Sequence, residues 1–349
     1  MEFKSYSSIE NAYRTKFTNG IRERGYNQGN WVITEKVHGS NLSIWFDGTD
    51  FKIAKRSDFF ASGKKVDDTH YFVEGSDFYN YQEALQVDNV LEKVDAIFQI
   101  FKNSTEATQI AVYGELFGGS YPHPDVKRCD VKAVQKGVFY CPEQRFYCFD
   151  IRVNEHYVNY MDMELACQQA GLLYAAPLFI GTFDECLAYP NDGLSTIHKI
   201  FGLPDLPDNI MEGVVIKPVN VMYFPNGERV ILKNKNDKFA EKAKGPREHV
   251  ERVQKEFSPQ QQEYFDSLLE YFTEARLRGV ISKIGTITEK DFGKLMGLFV
   301  KDAIEDFIKD CPNFNLLETA DRSMVTKAAN KAAAEFIRPN YLNILDGTF

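Results

Sequence analysis

A lysine stands where a strand pattern ends, and its neighbours suit a nucleophile. Two apolar, β-branched and aromatic runs, 31–34 and 42–46, flank the stretch Glu35-Lys36-Val37-His38-Gly39-Ser40-Asn41. A lysine amine at the edge of a pocket can attack an electrophile when desolvation and nearby cations lower its pKa. Gly39 would let the backbone turn closely past a bound ligand. Taken alone, Lys-x-x-Gly is better explained as an exposed hairpin lysine, so the rest of the chain must decide.

Five further segments carry charged or aromatic residues on strand patterns. In chain order they are Lys55-Arg56-Ser57, Val112–Gly118, Phe146–Ile151, Glu212–Pro218 and Val230–Lys235. Glu115 interrupts an apolar strand, which is costly unless a ligand hydroxyl, a metal or a structural salt bridge uses its charge. Lys233 and Lys235 share one strand face because side chains alternate with period two. Their mutual repulsion favours an anion such as phosphate nearby.

The order and spacing of these six segments resemble the collinear motifs of the covalent nucleotidyltransferases: ATP-dependent RNA ligases, DNA ligases and mRNA capping enzymes. The first motif carries His38 and Ser40-Asn41, where DNA ligases and capping enzymes usually have Lys-x-Asp-Gly-x-Arg. It is most similar to the RNA ligase 2 family, the double-strand-RNA-sealing ligases of large tailed bacteriophages and the kinetoplastid editing ligases. The resemblance implies an ATP-dependent RNA ligase that seals 3′-OH/5′-phosphate breaks, and nicks in duplex RNA in particular, through lysyl-AMP and RNA-adenylate intermediates.

The resemblance also implies roles for individual side chains, with ATP and Mg²⁺ (or Mn²⁺) as cofactors. Expected catalytic residues are Lys36, Lys233 and Lys235. Contacts with ATP are expected from Glu35, Val37, His38, Asn41, Arg56, Glu115, Phe149, Glu212 and Lys217. Glu212 is the first choice for organising the metal, with Glu115 second and more suited to the ribose. RNA contacts are expected from Arg56, Arg276, Lys283, Asp302 and Asp306, the last standing where the family leads us to expect Glu. Without the resemblance, Arg56 would be a solvated strand-end residue and Phe149 an ordinary core residue.

Composition sets outer limits on these interpretations. The chain has 349 residues, 44% of them hydrophobic, enough for two domains. No run of about 18 apolar residues predicts a membrane span, and the N-terminus has no apolar signal core. Six scattered cysteines suit a reducing cytoplasm, in a phage-infected cell or an equivalent compartment. The net charge of −9 argues against a protein that coats nucleic acid, but local charge can still bind phosphate. We expect a monomer.

The expected fold class is α+β. An adenylyltransferase domain, 1–244, should consist of packed antiparallel, ATP-grasp-like sheets with flanking helices, and a small all-α domain should span 250–349, with the boundary at Gly245-Pro246. Predicted helices cover 8–25, 81–102, 162–171, 259–278, 289–310 and 318–337. Hairpins are predicted at Asp47-Gly48 and Asn226-Gly227, with further strands at 109–117 and 145–153.

The tail bears on the alternatives. It has no strand pattern, unlike the β-barrel that follows the catalytic domain in DNA ligases and capping enzymes, and Val280–Gly285 and Lys290–Leu298 resemble the helical domain of the RNA ligase 2 family. Its basic residues, Arg276, Lys283, Lys290, Lys294 and Lys301, predict a clamp for the duplex backbone, against the alternative of a purely stabilising domain. A DNA ligase or capping-type enzyme and a non-catalytic RNA-end-binding module remain as rival functions. An ATP-dependent amide-forming enzyme lacks support, because no glycine-rich phosphate loop is visible.

Overall fold

The computed structural model describes residues 1–67, 70–240 and 257–349. It separates into two compact units, Met1–Asn236 and Asp237–Phe349. The first unit combines two sheets with helices, and the second is helical over its described residues. The α+β class is therefore confirmed. The expected boundary at Gly245-Pro246 lies outside the described residues, so the domain limits 1–244 and 250–349 stay predictions.

Over its described residues, the first unit contains twelve strands and five α-helices. The strands are β1 (Glu10–Asn11), β2 (Trp31–Glu35), β3 (Ser40–Phe46), β4 (Asp50–Lys55), β5 (Asp58–Lys65), β6 (Tyr71–Gly75), β7 (Ile110–Gly118), β8 (Gln144–Val153), β9 (His156–Tyr157), β10 (Pro177–Gly181), β11 (Gly213–Pro218) and β12 (Leu232–Lys235). The helices are α1 (Thr15–Glu23), α2 (Tyr81–Val87), α3 (Val90–Ser104), α4 (Tyr160–Ala170) and α5 (Phe183–Leu187). Among the described residues of the second unit they are α6 (Pro259–Leu269), α7 (Glu274–Ile284), α8 (Phe292–Asp310), α9 (Thr319–Ile337) and α10 (Tyr341–Leu345).

Two sheets organise the first unit. The five-stranded sheet has the order β1-β12-β11-β2-β10, and the seven-stranded sheet has the order β6-β5-β4-β3-β7-β8-β9. All pairs are antiparallel except β1 with β12, which departs from the purely antiparallel expectation. The outer face of the larger sheet packs on α2, α3 and α4 through an apolar core. A smaller aromatic cluster joins the sheets, with Trp45 and Tyr113 from one contacting Ile231 and Val215 from the other.

The hairpin after the lysine motif forms as predicted. Gly48 has φ +96°, which favours glycine, and the Asp47 carboxylate accepts hydrogen bonds from the backbone N–H groups of Thr49 and Asp50 at 3.1 and 2.9 Å. Register then pairs Leu42 with Lys55. The turn therefore returns Lys55, and Arg56 after it, to the strand that leaves the lysine motif.

Three predicted helices were too long. Within 8–25 only Thr15–Glu23 is helical, because residues 10 and 11 instead pair with β12. The predicted helix 81–102 is two helices, broken where Asn89 adopts φ +50°. The predicted helix 259–278 also breaks in two, and the side chain of Thr273 caps the second part by accepting from the N–H of Arg276. Hydrophobic periodicity continues across such breaks, so it does not reveal them.

The two later helices of the tail lie close to their predicted positions. A 3₁₀ turn, Glu289–Asp291, precedes α8, and α9 ends at Ile337. Among the described residues, no helix combines the length and the apolar character needed to cross a membrane.

Candidate active site

The smaller sheet presents a row of cations on the face that carries Val215. On β11, Val214 and Ile216 pack into the core of this sheet with Trp31 and Ile33, so Val215 and Lys217 face the other way. Register places Lys233 opposite Val215 and Lys235 opposite Gly213. The two lysines therefore share one face, as the alternation predicted.

The carboxylate of Glu212 lies at the centre of the site. One oxygen, Oε2, accepts from Lys36 Nζ at 2.8 Å, and the other, Oε1, lies 2.9 Å from Lys235 Nζ. His38 Nδ1 is 3.6 Å from Oε2. Burial acts to raise the pKa of Glu212, which is only 2% exposed, but Lys235, Lys36 and His38 outweigh it and hold the pKa well below its usual value. Glu212 is therefore buried and ionised. Its negative charge balances Lys36, the candidate nucleophile, and Lys235, one of the two lysines expected to bind phosphate.

Two glycines allow the backbone approaches around this carboxylate. A Cβ on Gly39 would lie 2.2 Å from the carbonyl oxygen of Leu116 and 2.9 Å from Cγ of Glu115. The close approach expected at Gly39 is therefore made to β7. At Gly213, φ is +148° and a Cβ would meet the Asn234 carbonyl oxygen at 2.2 Å. Side chains at these points would push apart the strands that bring the charged residues together.

Glu115 faces the same group of charges from the larger sheet. It pairs in register with Asn41 on β3. Burial raises the pKa of Glu115 to about 8, an effect that Lys36 and Arg56 reduce and that Glu212 increases. Lys36 and the half-buried Arg56 therefore both lie within electrostatic reach of Glu115. A carboxyl group that keeps its proton near neutral pH is better suited to a ribose hydroxyl than to a metal ion.

A buried ionic network lies behind Phe149. Asp150, 1% exposed, accepts from the hydroxyl of Tyr6 at 2.8 Å and pairs with Arg229 at 2.7 Å and with Lys217 at 3.4 Å. Lys217 also donates to the carbonyl oxygen of Phe149 at 3.0 Å. Burial acts to raise the pKa of Asp150, but Arg229 and Lys217 outweigh it and lower the pKa.

Tyr6, a member of this ionic network, packs against the partly exposed ring of Phe149 and holds it in place. The ring of Tyr6 meets it edge to face, with the centroids 4.9 Å apart. Sequence reasoning assigned Phe149 and Lys217 to the cofactor but gave no role to Tyr6, Asp150 or Arg229. A charge inside the apolar strand β8 was the available signal for Asp150, whereas Tyr6 and Arg229 carried none.

Two residues flank Lys36 in the lysine motif, Glu35 and Val37. Glu35 pairs in register with Val214, so its side chain projects to the face opposite Lys233 and Lys235. There its Oε2 accepts from the N–H of Thr196 at 3.0 Å. The expected contact of Glu35 with ATP stays a prediction, and the structure directs its side chain away from Lys233 and Lys235. Val37 is buried, with 7% of its surface exposed.

Tyr140 is a site residue that sequence reasoning missed. Its hydroxyl accepts from the backbone N–H of His38 at 2.9 Å, and its fully buried ring packs edge to face on Phe117 with centroids 5.1 Å apart. The contact fixes the chain two residues after Lys36. Nothing in the local pattern separates this tyrosine from the other seventeen.

Comparison with known families decides what kind of chain holds this site. Residues 29–235 match the family model described as RNA ligase, and residues 254–335 match the one described as T4 RNA ligase 2 C-terminal. The chain belongs to the RNA ligase family. The resemblance inferred from the six motifs is confirmed.

Curated relatives of this RNA ligase family member include two mitochondrial proteins of Trypanosoma brucei brucei. RNA-editing ligase 2 is 28% identical over 363 residues, spanning 88% of this chain and 83% of the relative. RNA-editing ligase 1 is 26% identical over 384 residues, spanning 91% and 78%. Among solved structures, a Naegleria gruberi RNA ligase mutant with AMP and Mn has a TM-score of 0.44 at 17% identity. That alignment covers 68% of this chain and 58% of the Naegleria chain.

In the helical unit of this RNA ligase family member, Arg276 is not on the surface. It is 2% exposed, and its guanidinium donates to the carbonyl oxygens of Tyr271 and Asp302 at 3.0 and 2.9 Å. It also pairs with the carboxylates of Asp302 and Asp306. The prediction that Arg276 contacts RNA from a basic surface is wrong, because every one of these partners holds it inside the unit and joins α7 to α8.

The neighbouring lysines differ from Arg276. Lys283 is exposed but pairs with Asp302, and Asp302 and Asp306 direct their carboxylates at Arg276. The two acidic residues therefore act within the unit rather than on phosphate. Three further lysines of the predicted basic surface are exposed: Lys290, Lys294 and Lys301.

Proposed function

We propose that this chain is an ATP-dependent RNA ligase that seals nicks in duplex RNA through a covalent lysyl-AMP and an RNA-adenylate. The observation that carries the proposal is the contact of Lys36 Nζ with the buried Glu212 carboxylate, whose second oxygen holds Lys235. The Glu212 carboxylate therefore holds the amine of Lys36 beside a second cation, Lys235. This arrangement suits a nucleophile that attacks a phosphate group. Mutants of the Naegleria gruberi RNA ligase have been solved with AMP and Mn and with ATP and Mn, the same class of cofactor.

In the first step, Lys36 Nζ would bond to the α-phosphorus of ATP while the bond from that phosphorus to its bridging oxygen breaks. Pyrophosphate leaves with the bond electrons. An ordinary lysine is protonated at neutral pH, so its ammonium must lose a proton before it attacks. Glu212 Oε2, at 2.8 Å, orients the amine, while the nearby cations Lys233 and Lys235 and a bound divalent cation would favour loss of the proton by repulsion. Transfer of this kind depends chiefly on in-line placement and on neutralising charge.

Lys233 and Lys235 would supply part of that neutralisation. They lie on one face of β12, with Lys235 already drawn to the Glu212 carboxylate. An α-phosphate between Lys36 and these two ammonium groups would experience the cation pair directly. Fixed charges aimed at developing charge stabilise a transition state more than mobile water does.

The residues fit a divalent cation that is held mainly through the phosphates. Among the described residues, no group of three or more His, Cys, Asp and Glu side chains is arranged to hold a metal ion by itself. Mg²⁺ commonly takes only one or two carboxylates and completes its shell with water and substrate phosphates. Glu212 is the better ligand, since its pKa lies well below the usual value, and Glu115 is the weaker one. The cation would neutralise phosphate charge.

The nucleoside would lie against Phe149. Stacking a base on an aromatic ring contributes about 1–3 kcal/mol, and the Tyr6 and Asp150 contacts beneath Phe149 fix the ring that it would meet. Glu115, with its pKa of about 8, would contact a ribose hydroxyl. Arg56 would bridge ribose and phosphate with its planar guanidinium.

The RNA would contact both units. AMP passes from Lys36 to the 5′-phosphate of the broken strand, and the 3′-hydroxyl then displaces AMP. The exposed lysines Lys290, Lys294 and Lys301 would bind backbone phosphates, which dominate recognition of duplex RNA. The enzyme would act as a monomer. The six free cysteines suit a reducing compartment such as the cytoplasm.

A sealing panel tests this function. Purified protein, ATP and Mg²⁺ are combined with nicked duplex RNA, nicked duplex DNA, an RNA/DNA hybrid and single-stranded RNA. We expect sealing to be fastest on nicked duplex RNA, with a 5′-adenylated strand as a transient product. Lys36→Ala should fail with ATP but still seal a strand that is already adenylated. Binding without sealing would indicate an RNA-end-binding module, and preferential sealing of DNA would indicate a DNA ligase.

A further inference from the structure

Glu35 ends β2 immediately before Lys36, yet it faces the other side of the sheet. Its register partner is Val214, whose side chain belongs to the apolar core with Ile33. The side chain is 4% exposed. A carboxylate in this position is costly, because burial disfavours its charged form, and burial indeed raises the pKa of Glu35. An apolar residue would serve the core better, so the acid must do something else.

What Glu35 does is bind a segment outside all six motifs. Its Oε2 accepts from the backbone N–H of Thr196 at 3.0 Å and from the Thr196 hydroxyl at 3.3 Å. The adjacent Ser195 side chain acts to lower the pKa of the Glu35 carboxyl group, against the larger effect of burial. Within the part of the chain that the structure describes, the other oxygen, Oε1, has no hydrogen-bond partner. The hydrogen bonds between Glu35 and Thr196, which we call the Glu35 anchor, are therefore all made by Oε2.

The anchoring segment is itself fixed. The N–H of Ser195 donates to the carbonyl oxygen of Asn209 at 2.8 Å. Two residues after Thr196, the ring of His198, 2% exposed, pairs through Nε2 with Asp205 at 2.7 Å. The segment therefore offers Glu35 a rigid attachment point rather than a loose loop.

The chain around Lys36 is held at three points of different kinds. Before it, the Glu35 side chain binds Thr196. At it, the Lys36 N–H donates to the Gly213 carbonyl oxygen at 2.9 Å. After it, the His38 N–H donates to Tyr140. Only the contact at Lys36 joins two backbone groups and survives most substitutions. The other two each depend on one side chain, the Glu35 carboxylate and the Tyr140 hydroxyl.

We propose that Glu35 is a positioning residue for Lys36: its carboxylate ties the end of β2 to the segment at Ser195–Thr196 and thereby sets where the lysine amine lies. The inference rests on the proposed function, in which that amine attacks ATP. It gives the Glu35 side chain no contact with ATP. Its loss therefore slows the chemical step and leaves nucleotide affinity unchanged, because misplacing a reacting group by about 1 Å can cost roughly 100-fold in rate.

The test measures single-turnover transfer of label from α-labelled ATP to the protein, over a range of ATP concentrations, together with thermal unfolding. Three variants weaken the hydrogen bonds between Glu35 and Thr196 to different extents. Glu35→Ala removes them, Glu35→Gln keeps an amide oxygen that accepts from Thr196, and Thr196→Val removes the hydroxyl donor but keeps the N–H. Cys186→Ala is the matched control, because it opens the same apolar core without touching the anchor.

For Glu35→Ala we expect a rate at saturating ATP about 10-fold or more below wild type, with half-saturation within about twofold. Glu35→Gln should recover to within about threefold of wild type, and Thr196→Val should fall between the two. Cys186→Ala should lose thermal stability and keep its rate.

Three results would overturn the inference: a wild-type rate in folded Glu35→Ala, a Glu35→Gln rate as low as that of Glu35→Ala, or an equal loss in Cys186→Ala. If Glu35→Ala does not fold, a wild-type rate in Thr196→Val overturns it instead. Wild-type protein that takes up no label would refute the proposed function, which is a separate outcome from any difference among the variants.

Discussion

The ammonium group of Lys36 lies 2.8 Å from a carboxylate oxygen of Glu212, a residue 176 positions later in the chain. The same carboxylate holds Lys235 at 2.9 Å. Glu212 therefore controls both the direction of the lysine amine and the charge around it. Removal of either cation would leave a buried carboxylate short of a partner, and removal of the carboxylate would leave two cations facing each other.

Glu212→Gln keeps the shape of the side chain and removes its charge. We expect lysyl-AMP formation to slow by about 10²–10³-fold, the usual effect of losing one oriented charged group in an active site. Label uptake from α-labelled ATP checks it. Glu228→Gln, at an exposed position, is the control and should match wild type. A Glu212→Gln rate within about threefold of wild type would contradict this role.

Gly39→Ala should be destabilising, because the new Cβ would meet the Leu116 carbonyl oxygen at 2.2 Å. Forcing a strand apart by an overpacked methyl typically costs about 1–3 kcal/mol. Chemical denaturation followed by fluorescence gives the free energy of unfolding. Gly279→Ala, a helical glycine with nothing within 4 Å of its Cβ, should instead gain up to about 1 kcal/mol. Equal effects of the two substitutions would show that β7 tolerates the extra atom.

Asp150→Asn tests the network behind Phe149. The pKa of Asp150 is lowered in the folded state, so its ionised form adds stability that is complete above the unfolded pKa of about 3.9 and is lost as pH falls through the folded value. The stability difference between wild type and Asp150→Asn should be constant from about pH 5 to 8 and narrow below about pH 4. Urea unfolding across pH measures it. A stability difference that widens as the pH falls would contradict the lowered pKa of Asp150. Asp125→Asn, at an exposed position, is the control and should change the stability little.

Arg276→Ala should destabilise the helical unit rather than weaken RNA contacts directly. Removing one member of a buried ionic group costs about 3–5 kcal/mol, and here Asp302 and Asp306 would lose the buried guanidinium that they share. The double variant Lys290→Ala/Lys294→Ala should leave stability unchanged and reduce the salt dependence of nicked-duplex affinity, since each lost phosphate contact flattens it. Filter binding across salt concentrations reports the slope. Identical slopes for wild type and the double variant would show that these lysines do not touch RNA.

What the sequence could predict follows from local rules. Side-chain alternation places Lys233 and Lys235 on one face, and Asp47-Gly48 specifies its hairpin through glycine's freedom and the aspartate's capping bonds. The order of the six motifs gave the family, because each motif needs only neighbouring residues to be recognised.

What it could not predict depends on contacts between distant segments. The sharing of Glu212 by two lysines, the Tyr140 contact with His38 and the burial of Arg276 all join residues from separate elements. The spacing of apolar residues indicates which face of a helix is buried. It does not indicate that a charged residue such as Arg276 is buried too, so Arg276 was predicted to lie on the surface. The reversed face of Glu35 has the same origin, since the strand's neighbours decide which side is the core.

Locating the AMP adduct tests the central claim most directly. Protein incubated with ATP and Mg²⁺ is digested, and mass spectrometry identifies the peptide that has gained one AMP. We expect the adduct on Lys36 alone, none on Lys36→Ala although that variant folds normally, and a full adduct on Lys199→Ala, which changes an exposed lysine. AMP on another lysine, or undiminished labelling of Lys36→Ala, would contradict the account.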